Sequence, residues 1–264
     1  MAIRTVFFDI DGTLLDEQKQ IPESAKQAVR QLQESGVETV IATGRPPVNF
    51  EWIREELGIH SYVSLNGNYV VREGELIFDN PIPAELVTTF KATTMKNGHG
   101  LGLVSHDEYR LTLLTHEAES CLGNHGLTVP TVAPSFDEEH KIYQCLLFAD
   151  ENTGRDYEQQ FPELHVMHWD ELAADVQLRG SSKALGIEHY LQAAGVKQED
   201  SMAFGDGIND LEMLQYVGTG IAMGNAGDAL KAVADKVTLK VSEDGIAAAL
   251  QELGLIQAME LESK

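Results

Sequence analysis

Short apolar segments alternate with helical segments in the first third of the chain, and this alternation restricts the fold more than any other feature. Val6–Phe8 and residues 37–42 are largely apolar runs, which are typical of strands buried on both faces. A helical segment with Pro22 at its start and Gly36 after its end lies between them. The order strand, helix, strand, helix, strand predicts an α/β fold with a Rossmann-like, doubly wound parallel sheet.

The middle of the chain departs from this order. Two prolines within Asp79–Pro83 suit a linker, and beyond it helices and strands follow each other irregularly, as in a largely antiparallel α+β domain. The alternation then resumes with a helix over 183–194 and includes a later helix over 226–234. We therefore expect a core domain interrupted by an inserted α+β domain, with the core formed by residues 1–80 and 180–264 and the insert by residues 81–179.

The chain is strongly acidic, with 42 Asp and Glu residues against 19 Lys and Arg residues and a formal net charge of −23. This charge argues against a nucleic-acid partner, whereas a small phosphorylated ligand needs only a locally basic site. The apolar runs are too short to span a membrane, and no signal peptide is evident at the N-terminus. Cys121 and Cys145 stand far apart, so we expect reduced thiols in a cytoplasmic protein.

Two carboxylates, Asp9 and Asp11, directly follow the first predicted strand. Ligands of open parallel sheets bind beyond the carboxyl ends of the strands, and two carboxylates at this spacing can share a metal ion. The plain alternative is a polar turn that closes the strand. A calcium loop of the EF-hand type is excluded, because it needs glycine at its sixth position and Gly12 is fourth from Asp9.

A second acidic cluster, Gly205–Asp210, follows the predicted strand over 201–204. Taken alone, it could be a loop that caps a helix. The ends of parallel strands meet at one crevice, however, and four carboxylates there would repel one another without a cation among them. Oxygen ligands of this kind suit Mg²⁺, so the two clusters together predict a magnesium site.

Two further features of the sequence are suited to binding an anion such as phosphate. Thr43–Arg45 follows the second predicted strand, where a hydroxyl group and backbone N–H groups at a turn can bind phosphate, although polar turns of this kind are common. Lys183 lies at a helix start where the parallel pattern resumes. A lysine on an acidic protein is usually solvated, but this position distinguishes Lys183 from the others.

These segments resemble the four motifs of the haloacid dehalogenase superfamily, in the order Asp9–Leu14, Thr43–Arg45, Lys183 and Gly205–Asp210. Over nearly its whole length the chain is similar to the Cof-type branch of sugar and small-molecule phosphatases, which Asn66-Gly67 also fits. The interval between the first two motifs is too short for a cap domain. The resemblance therefore implies that residues 81–179 form a C2 cap of the IIB variety, which closes over the cleft.

The resemblance implies a Mg²⁺-dependent phosphatase that hydrolyses small phosphorylated metabolites, such as sugar phosphates, through an aspartyl-phosphate. Asp9 would be the nucleophile, and Asp11 the general acid and then base, with its pKa raised by neighbouring carboxylates. Asp9, Asp206 and the Asp11 main-chain carbonyl would bind Mg²⁺, with support from Asp210. The implied phosphate-binding residues are Ile10, Thr43, Gly44, Lys183 and Asn209.

Two alternatives to this function stay open. Phosphohexomutases of the same superfamily carry similar caps, although their fourth motif usually has a longer insertion. The second alternative is a catalytically idle, ligand-binding relative of these phosphatases. The presence of the motif residues argues against this alternative: Asp9, Asp11, Lys183 and Asp206. In each case we expect a monomer or homodimer whose partner is a small phosphorylated metabolite, with no nucleic acid and no membrane.

Overall fold

The structure, a computed structural model, describes residues 2–125 and 127–257. Along the chain the strands are β1 (Thr5–Phe8), β2 (Glu38–Ala42), β3 (Tyr62–Ser64), β4 (Tyr69–Arg72), β5 (Glu75–Asp79), β6 (Gly100–Val104), β7 (Tyr109–Leu111), β8 (Gln144–Phe148), β9 (Leu164–Asp170), β10 (Ala173–Leu178), β11 (Ser201–Gly205), β12 (Thr219–Ala222) and β13 (Lys236–Val237). The α-helices are α1 (Glu23–Glu34), α2 (Glu51–Leu57), α3 (Ala84–Lys96), α4 (His116–Asn124), α5 (Glu151–Gln160), α6 (Lys183–Ala194), α7 (Leu211–Tyr216), α8 (Asp228–Lys231) and α9 (Gly245–Glu252).

The chain divides into two compact units. The core unit contains the residues up to Arg45, Phe50–Asp79 and the residues from Ser182 onward, and the insert unit contains Pro46–Asn49 and Asn80–Ser181. The predicted domains, residues 1–80 with 180–264 and residues 81–179, stay a prediction.

The core unit is built on an eight-stranded sheet in the order β13-β12-β11-β1-β2-β3-β4-β5. The strands from β13 to β3 are parallel, and β4 and β5 add an antiparallel hairpin. Phe8, the last residue of β1, pairs with Phe204 on one side and with Ile41 on the other. Because these strands run side by side in the same direction, the residues that follow β1, β2 and β11 lie at one edge of the sheet.

Helices cover both faces of this sheet, which explains why β1 is apolar throughout. Val6 and Phe8 belong to one buried cluster with residues of α1 and α9, and Phe8 stacks on Phe204 with ring centroids 5.4 Å apart. Phe7 points to the opposite cluster, where its ring contacts that of Tyr190 in α6 edge to face at 5.5 Å. The predicted fold class, a doubly wound parallel α/β core with an inserted α+β part, is confirmed.

The insert unit holds a five-stranded antiparallel sheet in the order β7-β6-β8-β10-β9. One face packs against α3 and α5 through a buried cluster that includes Phe90, Leu147 and Tyr157. On the opposite face, α4 covers a smaller cluster around Phe148. Among the described residues, no helix has the length and apolar character needed to cross a bilayer.

One predicted element of the core unit is wrong in extent. The predicted helix over 226–234 contains only the α-helix Asp228–Lys231. Its surroundings explain the short length, because Ala226 and Leu230 are buried but Val233 and Ala234 are only partly buried against the same cluster. A segment with few large apolar residues gains little from a longer packed helix.

Candidate active site

The two acidic segments, remote in sequence, meet at the carboxyl ends of β1 and β11. Backbone pairing continues past β1, since the Asp9 N–H donates to the Phe204 carbonyl at 3.0 Å. Carboxylate oxygens of Asp9, Asp206 and Asp210 lie within 4.8 Å of one another. Asp9 is 7% exposed and Asp210 is fully buried, so the sheet holds a group of carboxylates largely out of water.

Glycine at position 12 makes room for this group. Gly12 has φ +77°, a left-handed conformation that glycine adopts without a steric penalty. A Cβ atom added at Gly12 would lie 2.1 Å from Oδ2 of Asp206. The turn after β1 therefore requires glycine both for its backbone conformation and for the approach of Asp206.

Lys183 lies at the centre of the site and is fully buried. Its Nζ donates to Oδ1 of Asp9 at 2.5 Å and to Oδ1 of Asp210 at 2.6 Å. Burial alone would lower the pKa of Lys183, but the carboxylates of Asp210 and Asp9 outweigh burial and hold this pKa above its ordinary value. The lysine is therefore an ammonium ion that neutralises part of the surrounding negative charge.

The start of α6 explains how Lys183 reaches this position. Oγ of Ser182 accepts a hydrogen bond from the Leu185 N–H at 3.2 Å and caps the helix. A Cβ atom at Gly186 would lie 2.5 Å from Cγ1 of Val63 and 2.7 Å from Cα of Gly67. Glycine at position 186 thus lets α6 pack closely against the end of β3, which brings Lys183 to the strand ends.

Asp210 organises the loop that carries Asp206. Its Oδ2 accepts hydrogen bonds from the backbone N–H groups of Asp206 at 3.0 Å and Gly207 at 2.9 Å, while its Oδ1 accepts from Lys183. A Cβ atom at Gly205 would lie 2.6 Å from Cβ of Asp210, so this loop is closely packed. Both oxygens of Asp210 thus have partners in the protein, which suits a supporting position beside a metal ion.

Asp206 is held by two polar side chains. Thr13 Oγ1 donates to Oδ1 of Asp206 at 3.2 Å, and Nδ2 of Asn225 donates to its Oδ2 at 3.1 Å. Burial and the neighbouring charge of Asp210 raise the pKa of Asp206 to about 6. Burial also raises the pKa of Asp9, although the attraction of Lys183 opposes that rise. Burial is the larger cause of both rises, and the neighbouring carboxylates add to it.

This set of donors fits Mg²⁺. Hard carboxylate oxygens are the ligands that Mg²⁺ prefers, and the space left by Gly12 keeps the Asp206 carboxylate beside the turn that follows Asp9. A divalent cation would also favour the charged forms of Asp9 and Asp206, whose pKa values are raised by burial and by neighbouring carboxylates.

Asp11 lies in different surroundings. The Arg45 guanidinium binds its carboxylate with two hydrogen bonds, from Nε at 2.8 Å and from Nη2 at 2.7 Å, and Lys19 Nζ donates at 2.8 Å. Burial favours a higher pKa, but the contacts with Arg45 and Lys19 outweigh burial and hold the pKa of Asp11 below its ordinary value. The predicted rise of this pKa is therefore wrong, because two cations and not the other carboxylates contact the side chain.

The predicted phosphate-binding residues surround the same strand ends. Asn209 Nδ2 donates to Oδ1 of Asn66 at 3.2 Å, and the Asn66 N–H donates to the Thr43 carbonyl at 3.1 Å. A Cβ atom at Gly44 would lie 3.0 Å from the Asn66 amide. Ile10 is fully buried in the apolar core, so only its backbone can face a ligand.

Besides Thr13, several side chains that the sequence analysis gave no individual role also contact the site. The side chains that contact predicted site residues in this way are those of Lys19, Arg45, Asn66 and Asn225. Asn66 carried a sequence signal, because Asn-Gly directly after a buried strand marks a tight turn, and its φ of 52° is left-handed. Asn225 carried none, since its Nδ2 reaches Asp206 and the Gly12 carbonyl from the loop after β12.

Comparison with known proteins gives one consistent result. A family model described as haloacid dehalogenase-like hydrolase matches residues 6–250. The chain is 41% identical to YkrA of Bacillus subtilis (strain 168) over 258 residues, which cover 97% of this chain and 100% of YkrA. A crystal structure of a protein from Geobacillus kaustophilus HTA426 superposes with a TM-score of 0.92 at 44% identity, covering 97% of this chain and 100% of that one. The structure described as the HAD subclass IIB sugar phosphatase BT4131 superposes with a TM-score of 0.85 at 32% identity, covering 96% of this chain and 100% of that one.

Proposed function

The chain belongs to the haloacid dehalogenase-like hydrolase family, and on that premise we propose that it is a phosphatase that hydrolyses small phosphorylated metabolites at the site around Asp9. The observation that carries this proposal is the buried Lys183, whose ammonium joins Asp9 to Asp210. A fully buried lysine between two carboxylates is costly for a protein that only needs to fold. A positive charge beside a buried carboxylate is what the attack of one anion on another requires.

In the proposed reaction, a carboxylate oxygen of Asp9 attacks phosphorus. The bond from phosphorus to the leaving alcohol breaks as the bond to Asp9 forms, which gives an aspartyl-phosphate. A water molecule then attacks phosphorus, releases inorganic phosphate and restores the carboxylate. Mg²⁺, held by Asp9, Asp206 and the main-chain carbonyl of Asp11 with Asp210 in support, would offset the negative charge that develops on the phosphoryl group.

Lys183 and the polar turns would hold the phosphoryl group in place. Lys183 already donates to Asp9, so its ammonium lies beside the oxygen that reacts or the one next to it. Thr43, Gly44, Asn209 and the backbone of Ile10 would donate to the remaining phosphoryl oxygens. Asn66 would act as a positioning residue, because its amide fixes Asn209.

Asp11 would move protons at the leaving group and at the attacking water. Its contacts with Arg45 and Lys19 keep it ionised, which suits the step in which it accepts a proton from water. The earlier step, in which Asp11 protonates the leaving alcohol, requires these contacts to weaken. We infer that the phosphate dianion competes for the Arg45 guanidinium and thereby lets the pKa of Asp11 rise.

Similarity to the sugar phosphatase BT4131 supports sugar phosphates as the first substrates to test. Among the described residues, nothing favours a phosphohexomutase over a phosphatase, and the convergence of Asp9, Lys183 and Asp206 argues against an idle relative. The cytoplasmic location and the monomeric or homodimeric state stay predictions.

The test is release of inorganic phosphate from a panel of sugar phosphates, nucleotides and cofactor phosphates, with and without Mg²⁺. We expect metal-dependent release by the wild type and a loss on the order of 10³-fold or more in Asp9→Asn. Asp228→Asn is the matched control, because Asp228 is exposed at the start of α8.

Two results would contradict the proposal. Substantial turnover by a folded Asp9→Asn variant would remove Asp9 as the nucleophile. Conversion of a hexose phosphate into its isomer without free phosphate would identify a phosphohexomutase instead.

A further inference from the structure

A second group of metal-ligand side chains belongs to the insert unit. It consists of Cys121 and His125 at the C-terminal end of α4 and Asp170 at the end of β9. One ligand atom from each lies within 4.8 Å of the other two. We propose that Cys121, His125 and Asp170 form a binding site for a zinc-like transition-metal ion.

The helix and the strand bring these three atoms together. Cys121 and His125 are one helical turn apart, and the His125 N–H donates to the Cys121 carbonyl at 3.2 Å, so both side chains lie on one face. Nε2 of His125 is 3.0 Å from Oδ2 of Asp170, and the Cys121 thiol hydrogen-bonds to the same carboxylate. Ligand atoms around a tetrahedral zinc ion are roughly 3.3–3.8 Å apart, so only a small adjustment is needed.

The type of donors decides which ion fits. A sulfur, an imidazole nitrogen and a carboxylate oxygen suit Zn²⁺ and similar ions, whereas Mg²⁺ and Ca²⁺ prefer oxygen alone. Three protein ligands leave a fourth position for water or another ligand. This position has access to solvent, since the side chains of His125 and Asp170 are 43% and 27% exposed.

Neighbouring groups already orient two of the ligands. The Leu172 N–H donates to Oδ1 of Asp170 at 3.0 Å, which directs Oδ2 toward His125. The Trp169 ring contacts the His125 ring edge to face, with centroids 5.3 Å apart. Supporting contacts of this kind fix ligand geometry at metal sites. Cys121 is 2% exposed, so its sulfur would be shielded from oxidants once it binds the ion.

The chain provides a matched control in Cys145. It is also a buried free cysteine of the insert unit, at 1% exposure in β8, and it belongs to no group of three metal-ligand side chains among the described residues. A thiol that only fills the core would behave in the same way at either position. A thiol that binds metal would be required at position 121 and dispensable at position 145.

The test is titration of the chelator-treated, full-length protein with Co²⁺, followed by competition with Zn²⁺. A thiolate bound to Co²⁺ gives a sulfur-to-cobalt charge-transfer band, which Co²⁺ bound by the carboxylates around Asp9 cannot give. We expect this band in the wild type and in Cys145→Ser, its displacement by Zn²⁺, and its loss in Cys121→Ser. Asp170→Asn should weaken Co²⁺ binding at this site by at least about tenfold.

Folding of each variant is checked by circular dichroism. If Cys121→Ser does not fold, Asp170→Asn decides the question, because the Asp170 side chain is partly exposed and its amide can still accept from Leu172. Absence of the charge-transfer band in the folded wild type would overturn the proposal. Persistence of the band in Cys121→Ser, or unchanged Co²⁺ affinity in Asp170→Asn, would overturn it equally.

Discussion

Replacement of Lys183 by methionine tests the central feature of the site. Methionine keeps much of the side-chain volume but removes the ammonium ion, so the change isolates the charge. In the wild type this ammonium lies 2.5 Å from an oxygen of Asp9 and 2.6 Å from an oxygen of Asp210, and Lys183 and Asp210 are fully buried. The variant therefore leaves two carboxylates beside each other with no cation from the protein between them.

The expected loss of stability follows from this burial. Removing one partner of a buried ion pair costs about 3–5 kcal/mol, because the charge left behind has neither water nor a counter-ion. That loss is a large part of the roughly 5–15 kcal/mol by which a folded domain is usually stable. Lys197→Met is the control, since Lys197 is 76% exposed beyond the other end of α6 and should contribute less than about 1 kcal/mol.

The loss should also depend on pH. Burial raises the pKa of Asp9 and Lys183 opposes that rise, so the pKa climbs further in Lys183→Met. A group whose folded-state pKa exceeds its unfolded value stabilises the protein at low pH and loses this contribution as pH rises through the folded-state pKa. Asp9 has a pKa of about 8 in the wild type, so we expect the difference from the wild type to stay nearly constant between about pH 5 and pH 7 and to grow as the pH rises above about 8.

The assay is urea unfolding in the absence of divalent metal, with tryptophan fluorescence as the signal that monitors unfolding. The chain has two tryptophans, Trp52 in the core unit and Trp169 in the insert unit, so a common Trp169→Phe background makes the signal report the core unit. The reasoning is refuted if the free energies of unfolding of Lys183→Met and Lys197→Met lie within about 0.5 kcal/mol of each other. It is also refuted if the difference between these two free energies does not change with pH.

Three further predictions concern the same site. Gly12→Ala should abolish Mg²⁺ binding measured by calorimetry, because the added Cβ would lie 2.1 Å from Oδ2 of Asp206. The control is Gly36→Ala, because Gly36 has a similar φ of +82° but open space around it. This control should keep Mg²⁺ binding and lower only the free energy of unfolding, by about 1 kcal/mol. Arg45→Met should move the acidic limb of the kcat/KM–pH profile to higher pH, because kcat/KM reports the free enzyme, in which Arg45 holds the pKa of Asp11 down; an unchanged limb would contradict the role given to Asp11. Removal of divalent metal with a chelator should abolish phosphate release, and Mg²⁺ alone should restore it.

The parts of the site that the sequence predicted are those that local signals determine. Asp9 and Asp206 each follow an apolar run that forms a central strand, and parallel strands place their ends together whatever the loops do. Lys183 was predicted by its place at a helix start. Its contact with Asp9 also depends on Gly186, which allows α6 to approach β3, and a packing distance of this kind has no local sequence signal.

The parts that the sequence did not predict depend on side chains that arrive from other loops. The pKa of Asp11 was expected to rise because three other carboxylates are close in the motifs. It falls because the chain turns at Gly12 and carries Lys19 to the Asp11 carboxylate, while Arg45 reaches it from the end of β2. Pairings between exposed charges of different loops follow from the path of the backbone, which composition and spacing do not specify.

The opposite surroundings of Asp9 and Asp11 give the two carboxylates different chemistry from the same motif. Asp9 is buried beside other carboxylates, so its charge depends on Lys183 and, in the proposed reaction, on Mg²⁺. Asp11 is half exposed and held by two cations, so it is ionised without any metal. In the proposed reaction, Asp9 would become charged for attack only in the loaded site, whereas Asp11 would already be ionised as the base for water, so attack would be coupled to occupancy of the site.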